Sequence, residues 1–383
     1  MGFRRSVLGA GLSVLVAASW PAACSSESNQ AGPGGGTTTT GSTSSTTSDG
    51  GSGGSSTGGA GGSGAGGTAG CPELPSCDAA PPDPGPAAPW NDSLTPILTT
   101  SQGSARHRGR DLFLNPGDDQ WVLAKFAYGL ADKDLKGEDV DIHLLRDCGS
   151  AWELLGTATT TTDQSHPTIE GVDDTGGRVF FPIPQDKTLG PGRHRLHLVV
   201  KGDLSTAELF IEVVPAGTPI FVSDVDGTLT TYETEEFVDL LTGTVPDANP
   251  NAGAALQLLA DKGYRPQYLT ARPEWLTERT REFVEVRGFP PGLIHTTLSK
   301  TGALGSAAVD FKTAELALLA GKGLIPSYGF GNKDSDGQAY ANAGIQPADH
   351  RIFLQFDDPL GGRRIEDYGE LLVEFEALPK LCP

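Results

Sequence analysis

The sequence predicts two folded domains: an all-β sandwich, and after it an α/β domain whose mostly parallel sheet carries helices on both faces. Between about Trp90 and Pro215, short runs alternate apolar and polar residues and are separated by turn sequences such as "NPGDD" and "LGPG". From Thr218 onward, strand and helix patterns alternate, beginning with "PIFVSDV" and "PNAGAALQLLADKG". Alternation with period two indicates an antiparallel sandwich, and strand-helix alternation indicates a parallel sheet.

Residues 1–24, "MGFRRSVLGAGLSVLVAASWPAAC", are typical of a secretory signal. A basic start precedes an apolar stretch too short to span a bilayer comfortably, and small residues follow it. "PAAC" resembles a bacterial lipoprotein cleavage site, in which the cysteine, here Cys24, becomes the lipidated first residue. Pro21 stands where leucine is usual, so a soluble secreted form remains an alternative. We expect an exported protein of the cell envelope, lipid-anchored and facing the periplasm or the cell surface.

Residues 25–70 are predicted to be a disordered tether rich in glycine, serine and threonine. They contain almost no apolar side chains with which to offset the conformational entropy lost on folding. A flexible chain of this length has an average reach of roughly 40 Å, which is enough to lift a domain off a membrane surface.

The cysteines predict two disulfides in the exported part of the chain. If Cys24 carries lipid, four cysteines remain, and an even set in an exported chain favours disulfides, with three possible pairings. Closeness in sequence favours Cys71 with Cys77, which leaves Cys148 with Cys382. Because there is no CxxC pair and no cysteine-histidine cluster, a zinc site or a catalytic cysteine is disfavoured.

Residues 71–217 contain the predicted sandwich strands, among them "QWVLAKFAYG", "DVDIHLLR", "AWELLGTATT", "RVFFPI", "RHRLHLVV" and "TAELFIEVV". Three histidines in these runs are interpreted as solvated strand residues: His143, His194 and His197. An acidic group is interpreted as a solvated turn, because it lacks the spacing of a calcium-binding loop. Its members are Asp132, Asp134, Glu138 and Asp139.

Residues 218–383 contain the predicted α/β domain, which ends with "SYGFGN" as a strand, "SDGQAYANAG" as a helix and "RIFLQF" as the final strand. "EWLTERTREFVEVRG" is a helix closed by Gly288, and Arg279 and Arg281 are expected on its exposed face. The net charge of −20 argues against nucleic acid as a partner, since nucleic-acid binding needs a basic face.

Polar residues collect where the strands of this second domain end. In open α/β sheets, ligands bind at the carboxyl ends of the strands. The first such strand is followed at once by Asp224 and Asp226. Later strand ends and helix starts add Thr270, Arg272, Lys312, Asn332, Asp334 and Asp336. This set of carboxylates, a hydroxyl, an amide and cations suits phosphoryl transfer.

The chemistry accounts for these residue types. Mg²⁺ prefers oxygen ligands, which Asp224, the carbonyl of Asp226, Asn332 and Asp336 would supply. A carboxylate that attacks phosphorus forms an aspartyl-phosphate and so divides one difficult step into two. Lys312 and the metal would offset the charge of the transferring group. Gly227 lets the backbone turn sharply, so that N–H groups can approach a phosphate.

The motifs "SDVDGTLT", "LTAR", the lysine of "DFK" and "GNKDSD" resemble, in that order, the four motifs of the haloacid dehalogenase (HAD) superfamily phosphatases. Together with "FPPGLIHTTLS", they are similar to the catalytic LNS2 domain of lipins, the Mg²⁺-dependent phosphatidate phosphatases. The same domain closes the membrane-associated phosphatidylinositol transfer proteins. The resemblance covers about Thr218 to Leu372, and lipins also attach an immunoglobulin-like sandwich to this domain.

The resemblance implies a role for each matching residue. Asp224 would be the nucleophile and Asp226 the general acid and base. Phosphate would be contacted by Thr270, Lys312, Gly227, Thr228 and Arg272. The metal ligands would be Asp224, Asp226, Asn332 and Asp336. The transfer-protein version of the domain typically lacks an intact aspartate pair, so by this resemblance the presence of both aspartates favours catalysis.

Three functional hypotheses follow. The first is a Mg²⁺-dependent phosphatase that acts on a phosphatidate-like lipid in or near a membrane. The second is a non-catalytic module that binds phosphatidate or a phosphoinositide, as a lipid sensor or transfer protein would. The third is a phosphatase for small soluble monoesters in the periplasm. The sequence does not indicate the oligomeric state.

Overall fold

A computed structural model describes residues 71–231 and 244–382. The predicted signal peptide, Cys24 and the predicted tether lie outside the described residues. All described elements belong to one compact unit, Ala65–Pro383. This unit contains its own hydrophobic cores, one within the sandwich and two against the faces of the second sheet.

The first part of the unit is a β-sandwich, as predicted. Its elements are α1 (Thr95–Thr100), β1 (Arg108–Gly109), β2 (Leu112–Leu114), β3 (Trp121–Lys125), β4 (Ala127–Tyr128), β5 (Lys133–Asp134), β6 (Asp139–Leu145), β7 (Trp152–Thr159), β8 (Arg178–Pro182), β9 (Gly192–Val200) and β10 (Thr206–Val213). One sheet has the order β1-β3-β8, a second β2-β10-β9-β6-β7, and β4 and β5 form a separate two-stranded sheet. The pairing is antiparallel except between β2 and β10, which run parallel.

The second part is a parallel α/β sheet, also as predicted. Its elements are β11 (Ile220–Ser223), α2 (Ala252–Asp261), β12 (Arg265–Pro273), α3 (Thr277–Val286), β13 (Leu293–Thr297), α4 (Ser306–Gly321), β14 (Tyr328–Gly331), α5 (Asp334–Asn342), β15 (Arg351–Leu354), β16 (Arg363–Ile365) and α6 (Leu372–Glu376). The strand order is β13-β12-β11-β14-β15-β16, and every adjacent pair is parallel.

Two strands of this sheet lie outside the predicted set. The prediction that "RIFLQF" is the final strand is wrong, because β16 follows β15 and pairs with it. The three residues of β16, "RRI", are too few and too polar to show a strand pattern. β13 completes the opposite edge of the sheet, where it pairs with β12.

The central strand β11 is buried on both faces, which explains its continuous apolar sequence. Phe221 packs on one face in a cluster with Leu256 of α2. Ile220 and Val222 pack on the other face in a cluster with Leu316 of α4. A strand covered by helices on both sides places alternate side chains in two different cores. The residues that follow this rigid strand are therefore held at a fixed point of the sheet edge.

Both disulfides are present, but the predicted pairing is wrong. Cys71 is bonded to Cys382 and Cys77 to Cys148. The first disulfide joins the two ends of the compact unit, with a Cα–Cα distance of 5.4 Å. Closeness in sequence was misleading, because the fold returns the carboxyl-terminal segment to the place where the described chain begins.

Buried ion pairs join the sandwich to the α/β sheet. Arg108 and Arg178 donate hydrogen bonds to Glu274 over 2.8 and 3.0 Å. Arg110 donates to Glu315 over 2.5 Å. Four arginines and four acids, all buried, make up this charged junction: Arg108, Arg110, Arg178, Arg281, Asp111, Asp132, Glu274 and Glu315.

The expectation that Arg281 lies on an exposed helix face is wrong. Its guanidinium is buried and donates to both carboxylate oxygens of Asp111, over 3.0 and 3.1 Å. Asp111 also accepts the N–H of Phe210 and that of Ile294. The helix pattern alone cannot show this, because the surface that covers Arg281 comes from the sandwich. Arg279 is partly exposed and pairs with Glu282.

Several other polar residues that were expected to be solvated are buried. His194 and His197 are buried, and His197 Nδ1 lies 3.0 Å from Glu208. Asp132 is buried against Arg108, to which it is joined by two hydrogen bonds. Glu138 accepts the N–H groups of two residues in the segment that precedes α1, Asn91 and Asp92. The partners of Asp132 and Glu138 come from distant parts of the chain and that of His197 from the neighbouring strand β10, so the pattern of one strand alone does not show them.

Candidate active site

The predicted site residues meet at the carboxyl edge of the sheet, around the end of β11. Asp224 and Asp226 follow β11 directly, and β12 and β14 flank it on either side. Thr270 and Arg272 lie near the end of β12, and Asn332 follows β14. Asp336 lies in the first turn of α5, and Lys312 lies in α4.

Gly331 makes the approach of α5 to the sheet possible. A Cβ atom at this position would come 2.4 Å from Cβ of Asp336, which is closer than two carbon atoms can pack. Glycine is therefore required at the end of β14. Its absence of a side chain lets the Asp336 carboxylate enter the site.

Lys312 lies between two buried carboxylates. Its Nζ is 2.6 Å from Asp224 Oδ1, and it also donates to Asp336 Oδ1. Burial lowers the pKa of Lys312, but the two carboxylates outweigh that effect and raise the pKa overall. Burial raises the pKa of Asp224 to about 7, although Lys312 acts in the opposite direction. Lys312 is therefore a fixed cation, and Asp224 is a carboxylate whose charge is only partly compensated.

Thr228 links Asp224 to Asn332, the residue that follows the neighbouring strand β14. Its hydroxyl lies 3.0 Å from Asp224 Oδ2 and 3.1 Å from Asn332 Oδ1. Asp336 Oδ2 accepts the backbone N–H groups of Asn332 and Lys333, over 3.1 and 3.2 Å. Oxygen atoms of Asp224 and Asn332 are thus brought to the same hydroxyl group.

Asp226 belongs to a second polar group. Arg272 donates to its carboxylate from Nε over 3.0 Å and from Nη2 over 2.7 Å, and Thr270 donates over 3.0 Å. The remaining Nη1 of Arg272 donates to Thr280 of α3 over 3.0 Å. Arg272 is fully buried, whereas 13% of the Asp226 side chain is exposed. The arginine therefore orients the carboxylate while leaving it accessible from the site.

The turn from Gly227 to Thr230 is stabilised by residues that the sequence reasoning missed. Gly227 has a φ of 72°, a backbone conformation that favours glycine, and its N–H donates to Thr230 Oγ1. The Asn249 amide donates to the carbonyls of Thr228 and Thr230, over 2.8 and 2.9 Å. The Tyr368 hydroxyl donates to the Thr228 carbonyl as well. Neither residue lies in a recognisable motif, so only the folded structure identifies them.

The donor set is suited to a hard divalent cation. Mg²⁺ is held in proteins by one or two carboxylates together with other oxygen atoms. Here, oxygens of Asp224 and Asn332 lie next to the Thr228 hydroxyl, and oxygens of Asp224 and Asp336 lie next to the Lys312 amine. Within residues 71–231 and 244–382, no group of three or more His, Cys, Asp or Glu side chains is arranged so that it could hold a metal ion by itself. The Asp226 side chain is directed to Arg272, which leaves only its carbonyl for the predicted metal role.

The described part of the chain has no helix that is long and apolar enough to cross a membrane.

Comparison with protein families gives a consistent result for both domains. Residues 105–213 match the family model described as "PITM 1-3, beta-sandwich domain". Residues 221–354 match that described as "PITM 1-3, LNS2 domain". The chain is related to the membrane-associated phosphatidylinositol transfer proteins. It carries a PITM-type sandwich followed by a HAD-like LNS2 domain, in that order.

Individual relatives agree with these matches. Protein retinal degeneration B of Drosophila melanogaster is 29% identical over 246 residues, which cover 63% of this chain and 18% of that protein. Human membrane-associated phosphatidylinositol transfer protein 1 is 27% identical over 289 residues, which cover 72% of this chain and 21% of that protein. The chain thus spans about a fifth of the length of the relatives it matches.

Among solved structures, class C acid phosphatase from Bacillus anthracis with tungstate bound aligns at 19% identity. The alignment covers 41% of this chain and 72% of that chain, with a TM-score of 0.28. A score at this level adds nothing to the assignment of fold or function.

Proposed function

We propose that the protein is a phosphoric monoester hydrolase that acts on a phosphatidate-like lipid through an aspartyl-phosphate on Asp224. The observation that supports this most strongly is that the two carboxylates of one turn have different partners. Asp224 contacts Lys312, while Asp226 contacts Arg272 and Thr270. One carboxylate can therefore act as nucleophile while the other transfers a proton.

The reaction would run in two steps at these groups. An oxygen of ionised Asp224 attacks phosphorus, the bond from phosphorus to the ester oxygen breaks, and protonated Asp226 gives its proton to the leaving oxygen. A water molecule then attacks phosphorus and gives a proton to Asp226, the bond from the Asp224 oxygen to phosphorus breaks, and inorganic phosphate and the free Asp224 carboxylate are formed. Lys312 offsets the negative charge next to Asp224, and the Thr270 and Arg272 contacts keep Asp226 within reach.

Mg²⁺ is the proposed cofactor, held by Asp224, the carbonyl of Asp226, Asn332 and Asp336. When bound, it would supply positive charge next to the phosphate oxygens, as is typical of phosphoryl transfer. The HAD-like fold supports this proposal, because enzymes of that fold are typically Mg²⁺-dependent.

The lipid substrate is supported by the relatives, whose names place them at membranes and associate them with phosphatidylinositol. We further propose that the protein is exported and attached through Cys24, so that it meets its substrate at the envelope membrane. Binding of phosphatidate without hydrolysis is a second candidate. The relation to the transfer proteins favours it.

The test is phosphate release by the compact unit, residues 65–383, with Mg²⁺ or with a chelator. Phosphatidate in mixed detergent micelles and a soluble aryl phosphate are compared, and Asp224→Asn is the control. Mg²⁺-dependent release that favours phosphatidate and is lost in the variant is the expected result. Release from the soluble ester alone would discard the lipid substrate, and no release from either would favour the binding module.

A further inference from the structure

Five large apolar side chains are exposed around the sheet edge where the candidate site opens. We name them the apolar rim: Leu94, Ile97, Leu98, Leu130 and Leu304. Leu304 is 87% exposed and Leu130 is 82% exposed. Single exposed leucines are common on soluble proteins, whereas a group of them beside a site needs an explanation.

Leu304 lies directly beside the candidate site. The N–H of the preceding residue, Ala303, donates to the carbonyl of Ala271 over 2.9 Å. Ala271 stands between Thr270 and Arg272 on β12, and Gly305 is the N-cap residue of α4, the helix of Lys312. The segment that carries Leu304 is thereby fixed at the carboxyl edge of the sheet, with the leucine directed into solvent.

The other rim residues come from the sandwich and reach the same edge through a series of contacts. Lys300, four residues before Leu304, donates to the carbonyl of Asp132 over 3.0 Å, which places the turn of Leu130 beside the Leu304 segment. Trp275 donates its indole N–H to the Lys300 carbonyl over 2.9 Å. The Gly129 N–H donates to Ser104, which lies just after α1. The helix α1, with Ile97 and Leu98 and its N-cap residue Leu94, is therefore joined to this surface.

Basic side chains lie among the rim residues, although the whole chain carries a net charge of −20. Lys133 is exposed three residues after Leu130, and Lys300 is half exposed, with its Nζ 3.8 Å from Asp132 and 4.0 Å from Asp134. The Arg106 guanidinium stacks on Trp275, 4.2 Å from the ring centroid. Proteins that lie at a bilayer surface carry the same kinds of group. Their apolar side chains enter the acyl region, their basic side chains contact lipid phosphates, and their tryptophans lie at the level of the headgroups.

We infer that the apolar rim docks the protein onto a bilayer that contains anionic phospholipid, so that the site edge faces the lipid headgroups. This inference deepens the proposed function, because it supplies the route by which a membrane-held phosphomonoester would reach Asp224. Docking itself needs no turnover and can be measured separately.

The experiment is flotation of the compact unit, residues 65–383, with vesicles of phosphatidylcholine alone or with one fifth phosphatidate. Leu130→Asp and Leu304→Asp are compared with the wild type and with Val373→Asp. Val373 is a matched control, since it is an apolar residue that is 84% exposed on α6, away from the rim. Unchanged thermal unfolding would show that each variant is folded.

We expect the wild type to float with the phosphatidate vesicles and less with phosphatidylcholine alone. Each rim variant should bind about tenfold more weakly, because one leucine no longer leaves water. Val373→Asp should bind as the wild type does. Wild-type binding that is absent, or that falls equally in all three variants, would overturn the inference. In another outcome, the wild type releases phosphate from phosphatidate micelles while both rim variants bind vesicles as strongly as the wild type does. That result would retain the phosphatase and reject the docking surface.

Discussion

The candidate site and the charged junction are both buried groups of acids and bases, but their charges balance differently. At the junction, four arginines face four carboxylates. At the site, within residues 71–231 and 244–382, the ion pairs of Asp224, Asp226 and Asp336 are made with two cations, Lys312 and Arg272. A matched set of buried charges keeps its ionisation and holds two surfaces together, whereas an excess of negative charge favours the arrival of a cation or a proton.

The pKa shifts follow the same division. At the junction, burial alone would raise the pKa of Glu274, but Arg108 and Arg178 hold it below its usual range. At the site, burial and the neighbouring carboxylates raise the pKa of Asp224 to about 7 despite Lys312. Depth of burial is similar in the two places, so the ratio of cations to carboxylates accounts for the opposite directions.

Loss of Lys312 should have the largest effect, because the site would then keep two adjacent buried carboxylates without their shared cation. Lys312→Met is expected to lower phosphate release about 10³-fold. It should also lower the free energy of unfolding at pH 7, by about 3–5 kcal/mol. Steady-state phosphate assays and urea unfolding measure the two effects. Release within tenfold of the wild type would show that Lys312 is a structural residue only.

Loss of Arg281 tests the junction without touching the site. Arg281→Ala leaves the buried Asp111 carboxylate without its cation, so the free energy of unfolding should fall by about 3–5 kcal/mol. Urea unfolding at pH 7 provides the measurement. A loss below 1 kcal/mol would mean that the backbone N–H donors of Asp111 suffice and that the junction does not depend on matched charges.

Glu315 should make the junction sensitive to acid. Burial raises its pKa, but Arg110 and His295 together lower it to about 2, from 4.5. A depressed carboxyl pKa stabilises the fold above pH 4.5, and that contribution is lost as the pH falls toward 2. Glu315→Gln should therefore cost about 3 kcal/mol at pH 7 and much less near pH 2.5. A cost that stays constant across urea titrations in this range would contradict the role of its charge.

Arg279 should give the smallest effect and serves as the control for Arg281 on the same helix. Its guanidinium is partly exposed and pairs with Glu282 on the surface. Arg279→Ala is expected to change the free energy of unfolding by about 0–1 kcal/mol. Parallel urea unfolding of both variants makes the comparison. Equal losses would indicate that helix propensity, and not the buried pair, determines the cost.

The site was more predictable from the sequence than the junction, and the reason is physical. Asp224 and Asp226 follow a buried strand directly, and the topology of a parallel sheet brings the ends of β12 and β14 to the same edge. Chemistry that depends on strand ends therefore leaves a local pattern. The burial of Arg281 and Asp132 and the pairing of the cysteines depend on which distant surface covers them. Neither the spacing of apolar residues nor a sequence motif shows which surface that is. The three-residue strand β16 was missed for lack of any period at all.

The Cys71–Cys382 disulfide has a consequence for orientation. The N–H of Leu381 donates to the Lys262 carbonyl, so the disulfide lies where β12 begins, and Thr270 and Arg272 lie at its other end. A nine-residue strand spans about 30 Å. Both ends of the compact unit are therefore fixed on the side of the sheet opposite the site. A fusion partner or a surface linkage joined at either end of this unit would thus be attached away from Asp224 and Asp226, which lie at the carboxyl edge of the sheet.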